Sequence, residues 1–410
     1  MGIPLAAAGG LADILLALFL VLLAAKVGDE IFRRIGQPPL IGEILAGVVI
    51  GPSVLGIVSP NQTIEVFAEL GVVFLLFWVG LETRLSDLRE VGGPATRVGV
   101  FGMALPLVAG FVAADAFGAS FETSLFVGAA LVATSVGITS AVLIDLGALK
   151  TLAARTILGA AVIDDILAMI VLAIAVGIAE GGGLDVASVA LVIALAVGFV
   201  VFVGLGGTRI AARWPDIFHA PKFAESPLMP AVILCLGLAA FSAEIGLAAI
   251  IGAFLAGMIV AETRDRGDFE QEVAPLYAFF PPFFFVFIGL KVDLGALADP
   301  EVLAALAGVT LLAVATKFAG AWAGARSLGP RNALAIGVGM VPRGEVGIIV
   351  AGIGATAGVV SDSLFTVIVG MSIATTLIAP PLLKRALARE RGADDPPDEA
   401  PAVPGSGARV

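Results

Sequence analysis

Apolar runs long enough to cross a bilayer recur from one end of this chain to the other. The first is LADILLALFLVLLAAKV, residues 11–27. A spanning helix needs about 20 mostly apolar residues. Inside the hydrocarbon no water reaches the backbone, so only helices and closed barrels satisfy every N–H and C=O. The runs here are continuous and do not alternate, which excludes a barrel. The chain is therefore an all-α polytopic membrane protein. Its composition agrees: 59% of residues are hydrophobic and 14% charged, against roughly a quarter charged in soluble domains.

Apolar windows place thirteen spans near 11–27, 38–56, 66–81, 98–117, 123–145, 153–178, 187–206, 228–243, 246–261, 273–290, 302–324, 333–358 and 363–382. The basic residues orient them. Of the 23 lysines and arginines, 20 fall after odd-numbered spans, Lys291 alone follows an even one, and Lys317 and Arg343 lie within spans. Positive charge accumulates in cytoplasmic loops. The expected topology has the N-terminus outside and the C-terminus in the cytoplasm, in the cell inner (plasma) membrane. The first run lacks a basic leader and a cleavage site, so it reads as a true span and not a signal peptide.

The chain repeats itself. IGEILAGVVI (41–50) returns as IGAFLAGMIV (251–260), and FWVGLETRL (77–85) as VFIGLKVDL (286–294). TSVGI (134–138) returns as GEVGI (344–348), and LGAAVIDDILA (158–168) aligns with VGMSIATTLIA (369–379). All four offsets are 209–211 residues. That offset carries span 2 onto span 9, and an odd number of spans reverses orientation. The expectation is a six-plus-six inverted repeat, a recurrent transporter architecture. Residues 1–178 form the first half, 187–206 a linker helix, 222–385 the second half and 386–410 a disordered cytoplasmic tail rich in Asp, Pro and Ala.

Two adjacent acids, Asp164 and Asp165, sit in the middle of span 6, where a charge costs several kcal/mol. The repeat places Thr375 and Thr376 opposite them, so the fold itself does not require carboxylates there. Neighbours on a helix point about 100° apart and face different partners. Lys317 is the lysine deep in a span, and pairing would restore the charge that burial suppresses. Asp164 is assigned to Lys317, which leaves Asp165 facing a cavity and binding the transported ion. A static ion-pair cluster that only fixes helix packing is the structural alternative.

Spans 5 and 12 carry helix-breaking sequences, VATSVGITS (132–140) and GMVPRGEVGII (339–349). Proline removes a helix hydrogen bond and glycine weakens the helix. Broken helices at membrane depth line protein or water, and their ends supply dipoles and free carbonyls. Thr134, Ser135 and Thr139 are expected to line this crossing, and Asp165, Asp164 and Thr134 to meet the cation. Arg343 and Glu345 are expected to pair with each other, with Glu82 or with Glu43, supporting the crossing rather than binding the ion.

Other function classes fare poorly. There is no nucleotide-binding glycine motif, no zinc-protease motif and no Cys–His pair, so the chain reads as no enzyme. Cys235 is the one cysteine and His219 the one histidine, so neither an intramolecular disulfide nor a cysteine metal cluster is available. A channel would place acids in symmetric rings. No cofactor and no nucleic acid are expected; the partners are membrane lipids.

Together QPPLIGEILAGVVIGPSVLG (37–56), Gly80–Glu82, VATSVGIT (132–139), VIDD (162–165), Lys317 and GMVPRGEVGIIVAG (339–352) resemble the monovalent cation:proton antiporter-2 family, in particular NapA-type sodium/proton antiporters. The resemblance spans about residues 11–385. It implies an NhaA/NapA-like fold with two crossed interrupted helices, a mobile core domain, a dimerisation domain including span 2, and a homodimer. It implies that Asp165 binds the ion, that Asp164 pairs with Lys317, and that Thr134 and Ser135 line the first crossover. The Asp–Asp pair resembles the electrogenic members, and the short tail leaves no room for a soluble nucleotide-binding domain. The expected function is electrogenic sodium(lithium)/proton antiport by elevator-like alternating access. Potassium/proton antiport is the alternative within the class. A sodium-coupled symporter or a non-transporting ion sensor are alternatives outside it.

Overall fold

The computed structural model describes residues 10–83, 90–179, 186–213, 228–262, 266–292, 294–295 and 299–391. Among these, every regular element is a helix. In chain order they are α1 (Leu11–Arg34), α2 (Pro39–Ile50), α3 (Gln62–Leu81), α4 (Gly92–Ala116), α5 (Phe121–Val132), α6 (Val136–Asp145) and α7 (Leu152–Ala179). Then follow α8 (Val186–Val201), α9 (Thr208–Arg213), α10 (Leu228–Glu244), α11 (Ala249–Ala261), α12 (Arg266–Phe279) and α13 (Pro281–Leu290). The last are α14 (Pro300–Ala325), α15 (Pro330–Gly339), α16 (Glu345–Thr356) and α17 (Asp362–Arg391).

The expected spans 1, 3, 4, 6, 11 and 13 are continuous helices, and spans 5 and 12 are broken in two, at residues 133–135 and 340–344. Two spans depart from the expectation. Span 2 is helical only over Pro39–Ile50, about 18 Å at the helical rise. The chain turns at Gly51 and again at Gly56, whose φ is 61°, a conformation glycine adopts without penalty. Span 10 is split between α12 and α13 at Phe280, where Pro281 and Pro282 open a new helix and Pro281 brings no backbone N–H to continue the old one. His219, Arg84, Arg89 and Arg264 lie outside the described residues, as does the tail from 392.

The helices pack as two groups. In one, α1, α2, α3, α10, α11, α12 and α13 contact one another. Its seams are closed by glycines: Gly28 of α1 against Gly42 of α2, Gly47 of α2 against Gly289 of α13, and Gly80 of α3 against Gly257 of α11. A Cβ at any of these would strike the facing backbone, so the helices sit at the close approach typical of small-residue membrane interfaces. The other group is α4, α5, α6, α7, α14, α15, α16 and α17. The groups meet where α6 lies against α2 and α3. The Lys384 ammonium of α17 also donates to the Gly36 carbonyl after α1, at 2.6 Å. The α8 helix contacts α7 and continues through a π-helical turn, Phe202–Gly207, to α11.

Candidate functional site

The two broken spans cross at the centre of the second group. Ser135 N–H donates to the Pro342 carbonyl at 2.8 Å, and the Thr139 hydroxyl donates to the Gly339 carbonyl at 2.7 Å. Helix α5 stops at Val132 and α15 at Gly339, so carbonyls at both ends lack the next-turn N–H. Each end carries partial negative charge. Two buried cations answer it.

Lys317 of α14 spends its three donors on three oxygens. Its Nζ lies 2.5 Å from the Val132 carbonyl and 2.8 and 2.9 Å from Asp164 Oδ1 and Oδ2. Lys317 and Asp164 are both fully buried. The Thr134 hydroxyl donates to Asp164 Oδ2 at 2.8 Å. Asp164 is thus held by an ammonium and a hydroxyl at once, the compensation a buried carboxylate requires. The structure thus brings Asp164, Lys317 and Thr134 together.

Arg343 differs from its expected pairing. Its guanidinium donates to the Ala133 carbonyl at 3.2 Å, the Ala313 carbonyl at 3.2 Å and the Met340 carbonyl at 3.5 Å. It takes no carboxylate partner among the described residues. Glu82 is half-buried at the C-terminal cap of α3, and Glu43 lies 4.0 Å from Lys26. Glu345 opens α16, and its side chain lies outside the described residues. The physical reason for these carbonyl partners is local. The crossing exposes several backbone carbonyls to a low-dielectric interior, and a planar five-donor group meets more of them than a carboxylate would allow.

Asp165, the next residue along α7, is 4% exposed. It lines a narrow cleft with Val136 of α6, Leu158 and Val162 of α7, Leu76 of α3, and Ile250, Ile251 and Phe254 of α11. The cleft lies between the two helix groups, with the carboxylate on one wall and apolar side chains on the other. Ser135 is buried beside the crossing, its hydroxyl without a hydrogen-bond partner among the described residues. A Cβ on Gly344 would come within 2.5 Å of that hydroxyl, so the crossovers touch there.

The sequence did not single out the carbonyls of Val132, Ala133, Ala313 and Met340, because every residue carries one. Nor did it find what Thr375 and Thr376 do. Their hydroxyls bond the Arg343 backbone at 3.1 and 2.8 Å. The signal was present in the repeat, which set them opposite the paired acids.

Known proteins share this organisation. The chain is 38% identical over 371 residues to the Na(+)/H(+)-K(+) antiporter GerN of Bacillus cereus, covering 89% of this chain and 94% of that protein. It is 35% identical to the high-affinity Na(+)/H(+) antiporter NhaS3 of Synechocystis, covering 91% and 90%. The solved structure of the sodium proton antiporter MjNhaP1 from Methanocaldococcus jannaschii superposes with a TM-score of 0.64 at 20% identity, over 92% of this chain and 98% of that one. That likeness establishes the fold. The family model described as "Sodium/hydrogen exchanger, transmembrane" matches residues 15–389, and with its crossed broken helices and buried acids this chain belongs to that family.

Proposed function

We propose that this protein is a secondary active sodium/proton antiporter in which both ions compete for Asp165. The observation that carries the reading is the position of Asp165: a buried carboxylate on one wall of the cleft between two helix groups. A site on such a seam opens to one side or the other when the groups slide, without unfolding either. Asp164, Lys317 and Thr134 hold the crossing together beside it. The relatives' names, which carry Na(+)/H(+) exchange, support the same reading.

In the proposed cycle, Asp165 and Asp164 take up protons facing outward and release them facing the cytoplasm. Asp165 then binds Na⁺, helped by Thr134 and by carbonyls of the crossover. Lys317 bonds Asp164 while sodium is absent and yields when it arrives. The group carrying the crossing, α4–α7 and α14–α17, is the moving body. The group with α1–α3 and α10–α13 is the scaffold and the dimerisation domain of a homodimer. The boundaries of the inverted repeat, 1–178 and 222–385 with a linker at 187–206, describe the same chain by descent rather than by motion. The N-terminus faces out and the C-terminus the cytoplasm of the plasma membrane. Two protons per sodium move one net charge, drawing on about 2.3 kcal/mol per 100 mV.

A second reading, exchange of K⁺, is favoured by one observation: the name of GerN includes potassium. Oxygen ligands alone do not choose between the two cations.

The test is in proteoliposomes: collapse of an imposed ΔpH on adding Na⁺, Li⁺ or K⁺, with and without a clamped voltage, for wild type and Asp165→Asn. Na⁺-dependent collapse that vanishes in the variant is the expected result. A response to K⁺ alone moves the protein to potassium exchange, and silence toward every cation over pH 6–9 overturns antiport in favour of a symporter or sensor.

A further inference from the structure

We propose that Thr375 and Thr376 of α17 form a positioning clamp for the exchange site, acting through Arg343. The inference rests on the antiporter reading above and goes beyond it, since neither threonine touches the ion.

Arg343 sits in the non-helical segment between α15 and α16, so its own peptide has no helix to bond within. Buried backbone groups left in that condition are costly. The threonines satisfy both. Arg343 N–H donates to Thr375 Oγ1 at 3.1 Å, and Thr376 Oγ1 donates to the Arg343 carbonyl at 2.8 Å. Thr375 Oγ1 donates its own proton to the Ser372 carbonyl at 2.9 Å, and the single Thr376 hydroxyl proton is shared between the Arg343 and Ser372 carbonyls, both at 2.8 Å. Both residues are buried. The peptide is thus gripped from N–H to C=O by one turn of α17.

That grip aims the guanidinium. One of its nitrogens reaches Ala133, the residue before Thr134, and the other reaches Ala313, one helical turn ahead of Lys317. Thr134 and Lys317 are the two partners of Asp164. The clamp therefore sets the distance between the elements that hold Asp164 beside the ion site. The repeat gives the arrangement its logic. The same helix position carries carboxylates in one half, where Asp164 meets the first crossover, and hydroxyls in the other, where both meet the second. One pair exchanges its load; the other holds the frame against which the exchange occurs.

The valine pair Thr375→Val/Thr376→Val keeps shape and β-branching and removes both hydroxyls. The serine pair keeps the hydroxyls. The measurement is Na⁺-driven ΔpH collapse against Na⁺ concentration at fixed pH, normalised to inserted protein. The expected result is an apparent KM for Na⁺ raised about tenfold in the valine pair, with the serine pair restored to near the wild-type value. If the valine pair inserts poorly, Thr375→Val alone removes one bond and is expected to raise KM in the same direction. A valine variant matching wild type overturns the clamp, and so does a serine pair as impaired as the valine pair. Wild-type protein that exchanges nothing overturns the antiporter reading instead.

Discussion

Lys317 Nζ stands 2.8 and 2.9 Å from the two carboxylate oxygens of Asp164, and neither side chain reaches solvent. Removing one partner of such a pair strands the other charge in a low dielectric, at about 3–5 kcal/mol. Replacing both with uncharged residues removes most of that cost. Asp164→Asn and Lys317→Met are each expected to lower the melting temperature of the purified protein strongly, and the double variant less than the two effects added. Additive losses would mean that the pair contributes no coupling.

Asp165→Asn separates function from fold. The hydrogen bonds that hold Asp164 come from Lys317 and Thr134, and asparagine keeps the volume of Asp165. Exchange is expected to fall below detection while the melting temperature stays close to wild type. Retained Na⁺-dependent ΔpH collapse would remove Asp165 from the central role.

The two crossovers touch at Gly344 and Ser135. A Cβ on residue 344 meets Ser135 Oγ at 2.5 Å and Ser135 Cβ at 2.7 Å, but its Cα only at 3.6 Å. Gly344→Ala is therefore an overpacking change, with a cost of about 1–3 kcal/mol, and it is expected to depress exchange. Adding Ser135→Gly clears the collision and is expected to regain part of the lost stability. A thermal melt of the single and double variants decides it; no recovery would place the strain elsewhere.

Leu76 of α3 and Val136 of α6 face the same cleft from different helix groups. If the groups slide past one another, a short bifunctional cross-link between Leu76→Cys and Val136→Cys stops exchange. Cys235 is fully buried and out of reach of the reagent. Exchange is expected to cease on cross-linking and to return on cleavage of a reducible linker. Undiminished exchange in fully cross-linked protein would rule out sliding along this seam.

The membrane class, the run of spans and the two broken helices follow from local properties of the sequence: apolar length, and glycine and proline at set places. Asp164, Asp165 and Lys317 were legible for a related reason, because ionisable groups at membrane depth are too costly to be incidental. The lengths of α2 and of the α12–α13 pair were not, because hydropathy does not see where Gly51 and Pro281 end a helix within an apolar run. Arg343 shows the limit most clearly. A search among charged residues offers it carboxylates, yet its partners are the carbonyls of Ala133, Ala313 and Met340. Those carbonyls became acceptors only when two broken helices were brought across each other. The sequence alone determined which ionisable side chains lie at membrane depth and need compensation there. The crossing of the broken helices and the seam between the helix groups decided which backbone carbonyls Lys317 and Arg343 meet and which apolar residues face Asp165 across the cleft, because backbone acceptors and domain surfaces exist only after the chain has packed.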